Sequence, residues 1–75
     1  MKPQTGDEIE LISQGAFFKT GTTAVVLRIE QHREFPEHGI VVWMAIEGGR
    51  KYVKLEQFDK YFKIIGTARD GMKLI

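Results

Sequence analysis

Apolar and polar residues alternate at a period of two along most of the chain, in short runs separated by glycine-containing joints. That period predicts β-strands, because successive side chains of a strand point to opposite faces. Glu8-Ile9-Glu10-Leu11 opens the pattern, with Ile9 and Leu11 on the inward face. Residues 14–23 read as a loop rich in glycine and threonine, jointed at Gly15 and Gly21. Ala24 to Gln31 is the next predicted strand, in which Val25, Leu27 and Ile29 share one face and Arg28 and Glu30 the other. Residues 32–39 read as a loop, since Pro36 cannot donate to a ladder and Gly39 marks the exit. Ile40 to Glu47 is apolar on both faces and is expected to be central, or covered on both sides.

Gly48-Gly49 lies between two strand-like runs and suits a two-residue hairpin turn. Such a turn sets a register, placing Glu47 opposite Arg50, Met44 opposite Val53, Trp43 opposite Lys54 and Val42 opposite Leu55. Met44, Val53, Val42 and Leu55 then form the core face, and Trp43, Ala45, Tyr52 and Lys54 the opposite one. Leu55, Phe58 and Phe62 follow at i, i+3 and i+7, the spacing of a helical turn that plugs the end of a barrel. Lys63-Ile64-Ile65 reads as the closing strand.

Five short strands with a helical turn before the last predict an all-β fold, a small five-stranded SH3-like barrel over residues 1–66. Residues 67–75 form a tail or extra strand, with an Asp70-Gly71 turn signal and apolar Met72, Leu74 and Ile75. An OB barrel is the alternative, but OB folds carry a helix between strands three and four. No stretch before residue 55 has helical periodicity here.

The order of strands and turns resembles the KOW-type SH3-like domain of NusG transcription factors and several ribosomal proteins. The residues that carry the likeness are Gly6-Asp7-Glu8-Ile9, Gly15-Ala16-Phe17, Val25-Val26, Gly49-Arg50, Val53-Lys54-Leu55, Phe58 and Lys63-Ile64-Ile65. They span roughly residues 6–65, nearly the whole domain. Ala24 stands where the motif has a glycine, and the loop before it is longer. The resemblance implies binding to RNA, a ribosomal protein or a polymerase-associated protein.

Composition narrows the function. At 75 residues the chain buries only about 60% of its unfolded surface, which leaves few positions for a buried polar active site. It has no cysteine, hence no disulfide framework and no thiolate metal site. Its longest apolar run, Ile40 to Ile46, is far short of a membrane span, and the N-terminus lacks the apolar stretch of a signal peptide. A cytoplasmic protein is the expectation. The net charge of +1 is unevenly spread: residues 50–75 carry seven bases against Glu56, Asp59 and Asp70. These bases either present a basic patch to an acidic partner or simply solvate the surface.

The candidate contact set is Trp43, Tyr52, Lys54 and Arg50 on the outer face of the 40–55 hairpin, with Phe17 and Phe18 in the first loop. An aromatic beside cations can stack a nucleobase or seat a partner's apolar side chain. Trp43 reads equally as a core residue, because small barrels coil enough to cover both faces. Of Phe17 and Phe18, one packs and the other projects, or both pack. His32 and His38, near Glu34 and Glu37, have no spacing diagnostic of a metal site and read as solvated loop histidines.

Catalysis has little to work with: one serine, Ser13, and no phosphate-binding glycine loop, since Thr22 rather than lysine follows Gly21. Plasmid-borne type II dihydrofolate reductases are SH3-like barrels of this size. Their Val-Gln-Ile-Tyr strand is absent here, and Tyr52-Val53-Lys54-Leu55 does not replace it. The sequence therefore predicts a non-catalytic binding module without cofactor or metal, monomeric or weakly self-associating. Near-neutral charge favours a protein-interaction adaptor; RNA or ribonucleoprotein binding of the KOW type is the alternative.

Overall fold

The computed structural model of the chain describes residues 2–13 and 18–67. The strands are β1 (Asp7–Leu11), β2 (Thr23–Gln31), β3 (Ile40–Ile46), β4 (Gly49–Lys54) and β5 (Phe62–Thr67). A 3-10 turn over Pro36–His38 interrupts the β2–β3 loop. A second, Leu55–Gln57, runs into the one-turn helix α1 (Phe58–Tyr61) just before β5. The five strands form one antiparallel sheet in the order β4-β3-β2-β1-β5. The first four strands are a meander, and the helical turn carries the chain back so that β5 pairs with β1. Among the described residues β4 and β5 do not pair with each other, so the sheet is not closed. The predicted tail beyond Thr67 lies outside the described residues.

The core lies on one face of this sheet. Ile9 and Leu11 enter from β1, Ala24 and Val26 from β2, and Val42, Met44 and Ile46 from β3. Phe58 from α1 and Phe62 from the start of β5 cover them, their rings stacked with centroids 5.7 Å apart. Of the three residues expected in one helical turn, only Phe58 lies in α1: Leu55 opens the preceding 3-10 turn and packs at the core margin, and Phe62 begins β5. The double-sided apolar character of β3 also has its structural meaning. Adjacent residues Val41 and Val42 are both fully buried, and Val41 lies outside the core cluster, on the opposite face.

Two local features differ from the sequence reading. The first is the β3–β4 turn. Ile46 pairs with Gly49, so the turn residues are Glu47 and Gly48, not Gly48 and Gly49. Both have positive φ, 49° and 75°, as a type I′ turn requires. Trp43 therefore faces Tyr52 rather than Lys54, Val42 faces Val53 rather than Leu55, and Arg50 faces Ala45 rather than Glu47. Moving the turn by one residue moves each partner by two, which leaves the faces intact. Glu47 sits in a left-handed conformation that costs a β-carbon-bearing residue on the order of 1 kcal/mol and that asparagine tolerates. Glu47→Asn is therefore expected to stabilise the domain by about 0.5 kcal/mol, a rise of a few degrees in thermal midpoint. An unchanged or lower midpoint would show that Glu47 is not under that strain.

The second is β2. Val26 pairs with Met44 but Arg28 pairs with Trp43, so Leu27 is an extra residue, a β-bulge. The bulge reverses the alternation halfway along the strand. Ala24 and Val26 face the core before it, Val25 is 41% exposed, and Ile29 packs at the core margin after it. Val25, Leu27 and Ile29 thus do not share one face. The functional consequence is that Arg28 is set beside Trp43.

Candidate functional site

On the sheet face opposite the core, β3 presents Trp43, flanked by Arg28 of β2 and Tyr52 of β4. This face is not open. The β2–β3 loop folds over part of it, and the local chemistry of the loop explains how. His32 N–H donates to the Gly39 carbonyl at 3.0 Å, closing the base of the loop. Pro36, with its fixed φ, starts the 3-10 turn, in which Gly39 N–H donates to the Pro36 carbonyl at 3.0 Å. The His32 ring then organises the rest. Its Nδ1 accepts the backbone N–H groups of Glu34 at 3.2 Å and Phe35 at 3.1 Å. A nitrogen that accepts carries no proton, so these bonds define the tautomer with its N–H at Nε2.

The result is a cluster of five rings. His32, only 6% exposed, is its centre. Its ring centroid lies 4.9 Å from Tyr52, 5.2 Å from Phe35, 5.3 Å from His38 and 5.7 Å from Trp43. Trp43 and Tyr52 are tilted against each other at 5.0 Å. Phe35 stacks on His38, and the Tyr52 hydroxyl shares a 3.0 Å hydrogen bond with His38 Nδ1. Offset and edge contacts of this kind add about 0.5–1.5 kcal/mol per pair beyond simple burial. The cluster ties loop to sheet around the buried His32 ring, with Phe35 and Tyr52 at its exposed margin.

Beside it opens a groove of about 210 Å³. Leu27, His32 and Trp43 supply its apolar and aromatic lining. Arg28, Arg33 and Arg50 surround it, together with Glu30 and Glu34. Glu30 is engaged twice, by Arg33 at 3.3 Å and by Arg28 at 3.7 Å. Arg50, on the edge strand, has no carboxylate partner among the described residues. The groove thus combines an apolar lining, two arginines that share one carboxylate, and a third arginine with no carboxylate partner among the described residues. Such a surface can seat an apolar or planar side chain and one adjoining anion.

The sequence-predicted site residues separate into three groups. Trp43, Tyr52 and Arg50 share the outer face as expected, with Trp43 half-buried, between the two placements the sequence allowed. Lys54 lies opposite Val41, at the end of β4, and lines a separate depression with His38, Ile40 and Leu55. Phe18 is half-buried against the main core, the packed placement that the sequence allowed for one or both phenylalanines. Phe17 lies outside the described residues. His32 and His38 are not solvated loop residues, since both are built into the ring cluster. Among the described residues no three His, Cys, Asp or Glu side chains are grouped to hold a metal ion. The buried Asp7 carboxylate accepts the Gln4 backbone N–H at 2.7 Å and so serves a turn. No helix among the described residues is long and apolar enough to cross a membrane.

The residues that sequence reasoning missed are the loop rings and the bulge. His32, Phe35 and His38 recur every third residue, next to a strand with apolar residues on both faces. Three rings in so short a loop cannot all be solvated cheaply, and that was the available signal. Compared with protein-family models, with curated proteins and with solved structures, the chain finds no match.

Proposed function

We propose that this chain is a non-catalytic protein-interaction module of the SH3-like barrel class, and that it binds its partner in the Leu27/Trp43 groove. The barrel assignment draws support from the strand order, in which β5 returns to β1, and from the Phe58 plug before the last strand. One observation carries the functional reading. An indole held half-buried by His32 lines a groove whose surrounding side chains are charged, the anatomy of an apolar anchor site within a polar rim. Groups that elsewhere act as bases are occupied here: Glu30 by two arginines and His32 Nδ1 by two backbone N–H groups.

RNA binding of the KOW type is the second reading, and Arg50 beside Trp43 is the observation in its favour. Glu30 and Glu34 weigh against it, because they offset two of the three arginines and leave the groove only weakly basic.

Selection from a displayed peptide library on the immobilised domain tests the proposal. The selected peptides should shift the amides of Leu27, Arg28 and Trp43. They should bind at least about tenfold more weakly to Trp43→Ala and to Arg28→Glu, the latter a surface change that spares the fold. A library that yields no binder, or binders whose shifts avoid this groove, rejects the reading. Groove binding by a short single-stranded oligoribonucleotide instead, with affinity falling steeply with salt, would substitute the RNA reading.

A further inference from the structure

The two edges of the sheet are not equivalent. On β5, Glu8 pairs with Gly66 but Ile9 pairs with Ile64, so Ile65 is an extra residue and the edge is bulged. Bulges disrupt the ladder and discourage further pairing. On β4 six consecutive residues, Gly49 to Lys54, pair in unbroken register with Ile46 to Val41. Its other side has no strand neighbour among the described residues. It contains no proline and no bulge, and its row of outward N–H and C=O groups is regular.

The charge of that edge selects among possible occupants. β4 carries Arg50, Lys51 and Lys54 and no acid. Arg50 and Lys54 lie on the Tyr52 face, two positions either side of it, and neither has a carboxylate partner among the described residues. A second copy pairing antiparallel about Tyr52 would set Arg50 directly against Lys54 twice. Like charges directly opposite are destabilising, so the edge disfavours pairing with itself in that register. The same row attracts a strand of opposite charge.

We infer that the outer edge of β4, which has no strand neighbour among the described residues, accepts an extended acidic segment of a partner protein as a sixth antiparallel strand. The segment's pattern follows from the two-residue period of the ladder. An apolar or aromatic residue falls opposite Tyr52, and acids two positions before and after it fall opposite Lys54 and Arg50. The inference rests on the protein-binding reading above and specifies the chemistry of the partner.

The test uses the full chain, isotope-labelled, and a short capped peptide with glutamate two positions either side of a central tyrosine and threonine elsewhere. The expected result is amide shifts across Gly49–Lys54 with slowed hydrogen exchange on the outward amides of that strand. Lys54, outside the groove, separates edge from groove: Lys54→Glu should weaken the peptide at least about tenfold and should bind better to a peptide in which lysine replaces only the glutamate opposite position 54. Of two complementary peptides N-methylated at alternate residues, one should lose binding, because only one set of backbone groups faces β4. Shifts confined to Leu27, His32 and Trp43 overturn the edge inference while leaving the groove reading in place. Equal binding by both N-methylated peptides, or no β4 shift at millimolar peptide, also overturns it, the latter leaving the lysines purely protective. Failure of the groove-selected peptides is a separate result and counts against the protein-binding reading itself.

Discussion

Phe58→Ala is expected to remove most of the stability of this domain. Phe58 is 1% exposed and sits where the helical turn meets the sheet core. It stacks on Phe62, the first residue of β5. Removing its ring costs about 3–5 kcal/mol, as transfer free energy plus the cavity left behind. A domain of this length has roughly 4–11 kcal/mol in total at typical per-residue values. The loss also falls on the one segment that returns the chain to β1, so the β1–β5 pairing goes with it. In urea or heat, followed by the fluorescence of the single tryptophan, the thermal midpoint should drop by more than about 15 °C. Phe58→Leu keeps much of the volume and should cost far less, about 1.5 kcal/mol or under. A drop below about 5 °C for the alanine variant would mean that the turn covers the core without contributing to it.

The strands of this fold were legible because alternation is a direct consequence of the pleat. Ile9 and Leu11 point inward, and β3 lies between β2 and β4 with Val41 and Val42 buried on its two faces, although Ala45 on the outer face is exposed. The β3–β4 turn was misplaced for a definable reason. Gly48-Gly49 and Glu47-Gly48 are both acceptable two-residue turns, and glycine pairs attract the first choice. The observed choice sets Trp43 against Tyr52 and Val42 against Val53. The observed turn costs on the order of 1 kcal/mol at Glu47, and ring and core pairing summed across the ladder outweigh it.

The bulge at Leu27 was not legible at all. It contains no glycine, and its cause lies in the partner strand: only an extra residue lets both Val26 and Ile29 face the core beside Met44 and Val42. The candidate site was therefore half visible. Trp43, Tyr52 and Arg50 follow from parity, which survives a turn slip. Arg28 beside Trp43 depends on the bulge. The ring cluster depends on the loop folding back, which polar loop composition conceals. Phe18 shows the converse, since an aromatic in a glycine-rich loop is as free to reach the core as to leave it.

His32 is where the loop, the ring cluster and the groove meet, and substituting it separates the contributions. His32→Ala is expected to cost about 2–3 kcal/mol, from lost ring burial and from two backbone N–H groups left without their acceptor. The loss should be concentrated in the loop, as faster hydrogen exchange at Glu34 and Phe35 and a red-shifted Trp43 emission, with β1 and β5 little changed. Two further variants divide that cost. His32→Asn removes the ring but places an amide oxygen where Nδ1 stood, so the Glu34 and Phe35 amides should regain protection. His32→Phe keeps a ring of similar shape but sets a C–H edge against the two N–H donors that Nδ1 accepted at 3.2 and 3.1 Å. These donors are part-buried, and leaving the two of them without an acceptor costs about 1 kcal/mol or more in all, more than the added apolar surface returns. The phenylalanine variant should therefore be less stable than wild type and should not restore the loop amides. Wild-type stability in His32→Phe would reduce the histidine to a packing element. The loop would then be held down by its rings alone, and the width of the groove beside Trp43 would no longer depend on which atom occupies the Nδ1 position.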